Sequence, residues 1–134
     1  MKITRITMVV SSLVLGIAGA GLLFAPLEAL STLGFEQTNE LTGQLLGALY
    51  LAFAAANWTA RGGMVGGVYA RPLSIANFVH FLVGAIVLAR GLATDTPEAG
   101  HVLVTAAYLA FAVLFILMLY GRLLPAAQPP PHQE

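Results

Sequence analysis

Polar and apolar positions alternate along this chain in long blocks. All twelve Asp, Glu, Lys and Arg residues fall outside four apolar runs, residues 6–24, 41–60, 73–89 and 102–120. Each run approaches the roughly 20 residues an α-helix needs to cross a hydrocarbon core of about 30 Å. The pattern predicts an all-α fold, a four-transmembrane-helix bundle over residues 1–124.

The boundaries between blocks add one short element. After the first run, Pro26-Leu27-Glu28 offers a proline at a first helical position and an acid in the first turn, and Gly34 can close the element in a left-handed conformation. A short interfacial helix is expected there, with Leu27, Leu30 and Leu33 on one face, opposite Glu28 and Thr32. Pro72 marks the start of the third spanning helix, and Thr96-Pro97-Glu98 that of the fourth, with Thr96 capping. From Pro125 onward, with Pro129-Pro130-Pro131, residues 125–134 form a Pro-rich tail that cannot continue the helix.

Composition agrees with a membrane protein: 58% of residues are hydrophobic and 9% charged, against about a quarter charged in soluble domains. Four spans consume most of the 134 residues, so any chemistry has to be built inside the bundle. The absence of cysteine excludes disulfides and thiolate sites. Zero net charge and the lack of a basic cluster argue against nucleic acid as a partner.

Alternating the spans puts Lys2, Arg5, Arg61, Arg71 and Arg122 on one side and Arg90 on the other. By the positive-inside rule the first side is cytoplasmic, so both termini are expected there, in a multi-pass protein of the bacterial inner membrane. The first run resembles a signal peptide, with Lys2 and Arg5 ahead of it and Ala18-Gly19-Ala20 as a cleavage-like site. It is read instead as a retained span, because removing it would move Arg122 to the opposite side.

The strongest chemical candidates are polar residues near the cytoplasmic ends of the runs. Counting at 1.5 Å per residue places Asn57 about 5 Å, Asn77 about 6 Å, His80 about 10 Å and Ser11 and Ser12 about 8 Å from that boundary. Trp58 adjoins them. Polar side chains in lipid are costly, so these should face one another, a cavity or a partner. Two readings stay open. In one, Ser11, Ser12, Asn57, Asn77 and His80 are interhelical hydrogen-bonding groups that fix helix register. In the other, His80 is the titratable or ligand-binding group of a cytoplasm-facing pocket, oriented by Asn57 and Asn77 and flanked by Arg61, Arg71 and Tyr69 as an anion or headgroup surface.

Small residues supply the packing signal: Gly16 and Ala20 in the first run, Gly43 and Gly47 in the second, then Ala48, Ala52 and Ala56. The Arg61–Pro72 connection carries two glycine pairs whose amides offer an anion-binding concavity, but it lacks the lysine and hydroxyl spacing of a phosphate-binding loop. A turn hugging the membrane is the simpler reading. No lysine or carboxylate lies in a run, and His101 falls at the opposite end from His80. No retinal, haem or metal site is expected, and no cofactor.

The run Asn57-Trp58-x-x-Arg61-Gly62, then Gly66-Gly67-Val68-Tyr69-x-Arg71-Pro72, then Asn77-Phe78-x-His80-Phe81 resembles a pattern in uncharacterised small four-helix bacterial inner-membrane proteins of domain-of-unknown-function type. The Phe24–Leu30 turn is similar to their segment after helix 1. The resemblance covers most of residues 22–92 and implies the four-helix fold without any activity. Trimeric glutathione-dependent membrane enzymes are similar in size, but their charged helix-2 motif is missing here. The sequence therefore points to a non-enzymatic accessory or scaffold protein that binds membrane lipid or a larger membrane complex, or forms a homo-oligomer. The alternative is a small membrane enzyme or hydrophobic-ligand carrier using the His80 pocket.

Overall fold

The structure is a computed structural model that describes residues 2–35, 39–62, 70–93 and 98–120. Every regular element among them is helical: α1 (Lys2–Phe24), α2 (Pro26–Thr32), α3 (Glu40–Ala60), α4 (Ala70–Leu92) and α5 (Ala99–Leu119). The long helices have 21 or 23 residues, about 31 to 35 Å at 1.5 Å per residue.

Local chemistry sets the ends. Pro26 opens α2 with Glu28 in its first turn. Gly34 closes it at φ +84°, with Gly34 N donating to Ser31 O (3.0 Å) and Phe35 N to Leu30 O (2.9 Å), the paired bonds of a Schellman ending. Leu30 is buried as expected, but Leu27 is half exposed and Pro26 takes its place in the interface, against Gly43. Asn39 caps α3 by accepting from Leu41 N at 2.8 Å. Helix α4 begins at Ala70, ahead of the expected Pro72, which sits in the first turn where its missing N–H leaves no bond unmade. The expected Thr96-Pro97 start of α5, the glycine-rich stretch from Gly63 to Tyr69 and the tail from residue 125 lie outside the described residues.

The long helices form two antiparallel pairs, α1 with α3 and α4 with α5, which touch each other at far fewer places. The α1–α3 seam is a backbone contact. A Cβ placed on Gly19 would lie 2.9 Å from Gly47 O, and one on Gly47 would lie 2.8 Å from Gly19 O. Gly19 occupies the place expected for Ala20, while Ala48 and Ala52 lie on the outward face. The α4–α5 seam is aromatic: Phe81 stacks on Phe111 and Phe115 at centroid separations of 4.8 and 5.8 Å. Met8 of α1 and Met118 of α5 join this core. Helix α2 folds back on α1 and α3, and Gly100 meets the Thr32 carbonyl, so the α2 turn also touches the start of α5.

The exterior is apolar, and polar side chains share the interior with the hydrophobic core. On α1 the buried side carries Thr4, Thr7, Ser11 and Ser12, and the exposed side Ile3, Ile6, Val10, Leu13, Val14 and Ile17. Helix α4 likewise buries Ser74 and Asn77 and exposes Ile75, Val79, Val83, Ile86 and Val87. An apolar exterior around a polar-dotted interior is the arrangement hydrocarbon selects. Three helices, α1, α4 and α5, are long and apolar enough to cross a membrane, where the sequence pattern predicts four. Helix α3 has the length but falls short in apolarity, because Gln44, Tyr50, Asn57 and its glycines dilute the leucines.

Replacing Gly47 by leucine should lower stability by about 1–3 kcal/mol, the usual penalty for overpacking, because the new side chain meets α1 backbone. Gly62→Ala, with open space at its Cβ position, should leave the unfolding midpoint unchanged. Unfolding of both variants in detergent checks the pair.

Candidate functional site

Two polar layers lie one above the other in the bundle. The first is built by α1, α3 and α4 where their small residues bring the backbones close. Asn57 Nδ2 donates to Asn77 Oδ1 at 2.9 Å, and Asn77 Nδ2 returns a bond to Asn57 Oδ1 at 2.7 Å. Asn57 Nδ2 also donates to Ser11 Oγ at 3.1 Å, and Asn77 Nδ2 to Leu73 O at 2.9 Å. Ser11 Oγ donates to Met8 O, and Ser12 Oγ reaches across to Ala54 O at 2.7 Å. Asn57, Asn77 and Ser11 are fully buried. This layer joins three helices with neutral groups that satisfy one another.

His80 is not part of it. Three residues past Asn77, its ring points into an aromatic layer: Phe53 stacks on it at 5.0 Å, and Tyr50 and Phe81 meet it edge-on at 5.5 and 5.2 Å. Its Nε2 lies 3.5 Å from Tyr108 Oη, and the Tyr108 and Tyr50 hydroxyls share a further hydrogen bond. Tyr108 can approach because α4 carries Gly84 beneath it. A Cβ at that position would lie 2.3 Å from Tyr108 Cε1.

The remaining sequence candidates lie apart from both layers. Trp58 is 45% exposed, with the Arg61 guanidinium 3.9 Å above its ring and donating to its carbonyl. This is a cation–π pair on the outside of α3 rather than a pocket wall. Arg71 is exposed, and Tyr69 lies outside the described residues. Tyr50 and Tyr108 are the functional candidates that residue spacing left unpaired with His80. Gly84, one turn from His80, was their one trace in the sequence, since a glycine inside a span leaves room for a facing ring.

Among the described residues no group of three His, Cys, Asp or Glu side chains could hold a metal ion. At the far end His101 Nε2 lies 3.0 Å from Leu88 O and its ring 4.9 Å from Phe35, well removed from His80. No described buried side-chain N or O atom lacks a hydrogen-bond partner. The first layer can therefore bind helices together. The second layer joins a histidine to two phenols and can exchange hydrogen bonds.

Asn57→Leu should lower stability by about 1–3 kcal/mol, because it strands the buried Asn77 amide. The Asn57→Leu/Asn77→Leu double variant should be more stable than the sum of the single losses predicts. A double-mutant cycle by denaturation in detergent reads the coupling.

No family model matches the chain, and neither a curated protein nor a solved structure is significantly similar to it.

Proposed function

We propose that this chain crosses a bacterial inner membrane four times, with both termini cytoplasmic, and serves as a non-enzymatic accessory or scaffold protein that binds membrane lipid or a larger membrane complex. One observation carries the reading: Ser11, Ser12, Asn57 and Asn77, the polar groups a catalytic or transport bundle would turn toward a substrate, are engaged with one another and with backbone. Their work is to hold helices together.

Helix α3 is the proposed fourth span. It has 21 residues, packs along α1, and its polar side chains turn inward or pair locally, as Gln44 does with Glu40 at 3.3 Å. The similarity of the Asn57–Phe81 motifs to small four-helix membrane proteins fits this reading.

Charge supports the orientation. Arg5 precedes Ser11 by six residues, Arg71 precedes Asn77 by six, and Arg61 follows Asn57 by four. At 1.5 Å per residue all three lie about 6 to 9 Å beyond the Ser11–Asn57–Asn77 layer, toward the same end. Arg90 lies near the opposite end of α4. A level of arginines beside Trp58 suits anionic headgroups at the cytoplasmic face.

Alkaline phosphatase fused after residues 35 and 93 should be active, and after residues 62 and 120 inactive. Activity after residue 62 would overturn the four-pass reading. Native mass spectrometry after gentle extraction should show a retained membrane protein or anionic phospholipid, with the lipid reduced by Arg61→Gln/Arg71→Gln. A bare monomer would count against the accessory role.

A further inference from the structure

The rings around His80 help to fill the core, but their polar atoms are not needed for packing. The Asn57–Asn77 pair already joins α3 to α4, and phenylalanines would fill the same volume without burying hydroxyls. We propose that His80, backed by the Tyr108 and Tyr50 hydroxyls, binds a neutral, membrane-soluble molecule whose ring carries a carbonyl group, of the benzoquinone class, entering from the bilayer between the two helix pairs.

Depth selects the class. His80 lies ten residues from the start of α4 and twelve from its end, about 15 and 18 Å, near the middle of the span. Tyr50, ten residues into α3, and Tyr108, nine into α5, lie at comparable depth. A phospholipid headgroup stays at the interface, and an ionised ligand is strongly disfavoured at the bilayer centre. A neutral ring dissolved in the hydrocarbon reaches this level freely.

Shape and hydrogen bonding narrow it further. His80 is partly exposed and lies between the two helix pairs, against Tyr50 and Phe53 of α3 and Tyr108 of α5. Phe53 stacks on the imidazole, and Tyr50 and Phe81 meet it edge-on, so its plane is fixed; a flat ring beside it can extend the same aromatic packing. Its Nε2 is engaged with Tyr108, whereas Nδ1 has no hydrogen-bond partner among the described residues. When Tyr50 donates to Tyr108 and Tyr108 to Nε2, the neutral imidazole carries its proton on Nδ1. That proton is the donor for a carbonyl oxygen. Gly84 keeps the chain assembled, because any side chain there would displace Tyr108.

The test uses the full chain in lipid nanodiscs, titrated with a decyl-substituted 1,4-benzoquinone and, in parallel, with decylbenzene, which has the tail and ring but no carbonyl. The quinone should bind saturably at one site, and decylbenzene should not. Tyr108→Phe, which keeps its ring over Gly84, and His80→Phe should each weaken binding about tenfold or more, the loss of a hydrogen bond in a desolvated site. With 15N-labelled histidine, the quinone should shift the His80 ring resonances and leave those of His101 in place. Absence of saturable quinone binding, equal binding of decylbenzene, or unchanged affinity in both variants with native melting would overturn the proposal.

Discussion

The reciprocal hydrogen bond between Asn57 and Asn77 is the interaction on which the rest of the bundle is aligned. Each amide both gives and accepts, so the pair is satisfied in only one register. Advancing either helix by one residue would rotate its side chain by about 100° and break both bonds at once. The additional bonds to Ser11 and to the Leu73 carbonyl extend the constraint to α1 and to the α4 backbone. In a hydrocarbon surround no water is present to replace a lost partner, which makes the alignment exclusive. The placement of His80 follows from it. Three residues along α4 from Asn77, the ring is brought opposite Phe53 and Tyr50, four and seven residues before Asn57 on α3.

The two helix pairs cohere by different means. The α1–α3 pair relies on glycine, which lets backbone lie on backbone and gains van der Waals contact along the seam. The α4–α5 pair relies on ring stacking around Phe81, with Gly84 making room for Tyr108 and Gly91 for His101. Between the pairs, contact is concentrated in the amide layer, the aromatic layer and the methionines near the arginine end. Polar pairing therefore does at this junction what small residues and aromatics do within each pair.

Much of this was legible in the chain. The apolar runs located all four long helices to within a few residues, and Pro26 with Gly34 located the short one, because proline and glycine act through local backbone geometry. The convergence of Ser11, Asn57 and Asn77 followed from counting depth along each helix. Azimuth was less accessible. Asn77 and His80 share a broad face, yet the structure turns one toward Ser11 and the other toward Tyr108, a separation set by where α5 packs. The choice of Gly19 over Ala20 at the seam likewise depends on how α1 is rotated against α3. Trp58 could not be assigned to a pocket or to the exterior until Arg61 was seen lying over its ring.

The dilution of α3 by Gln44, Asn57 and glycine bears on biogenesis. In the four-pass reading, a segment so modestly apolar partitions poorly by itself, while α1, made first and rich in exposed isoleucine, leucine and valine, inserts readily. Once α1 is in place, Gly19 and the serine-lined face beyond it offer α3 a ready surface and partners for its polar groups. The first hairpin thus enters as a unit whose second member is carried by the first. The order in which the ribosome delivers the helices becomes part of the folding code.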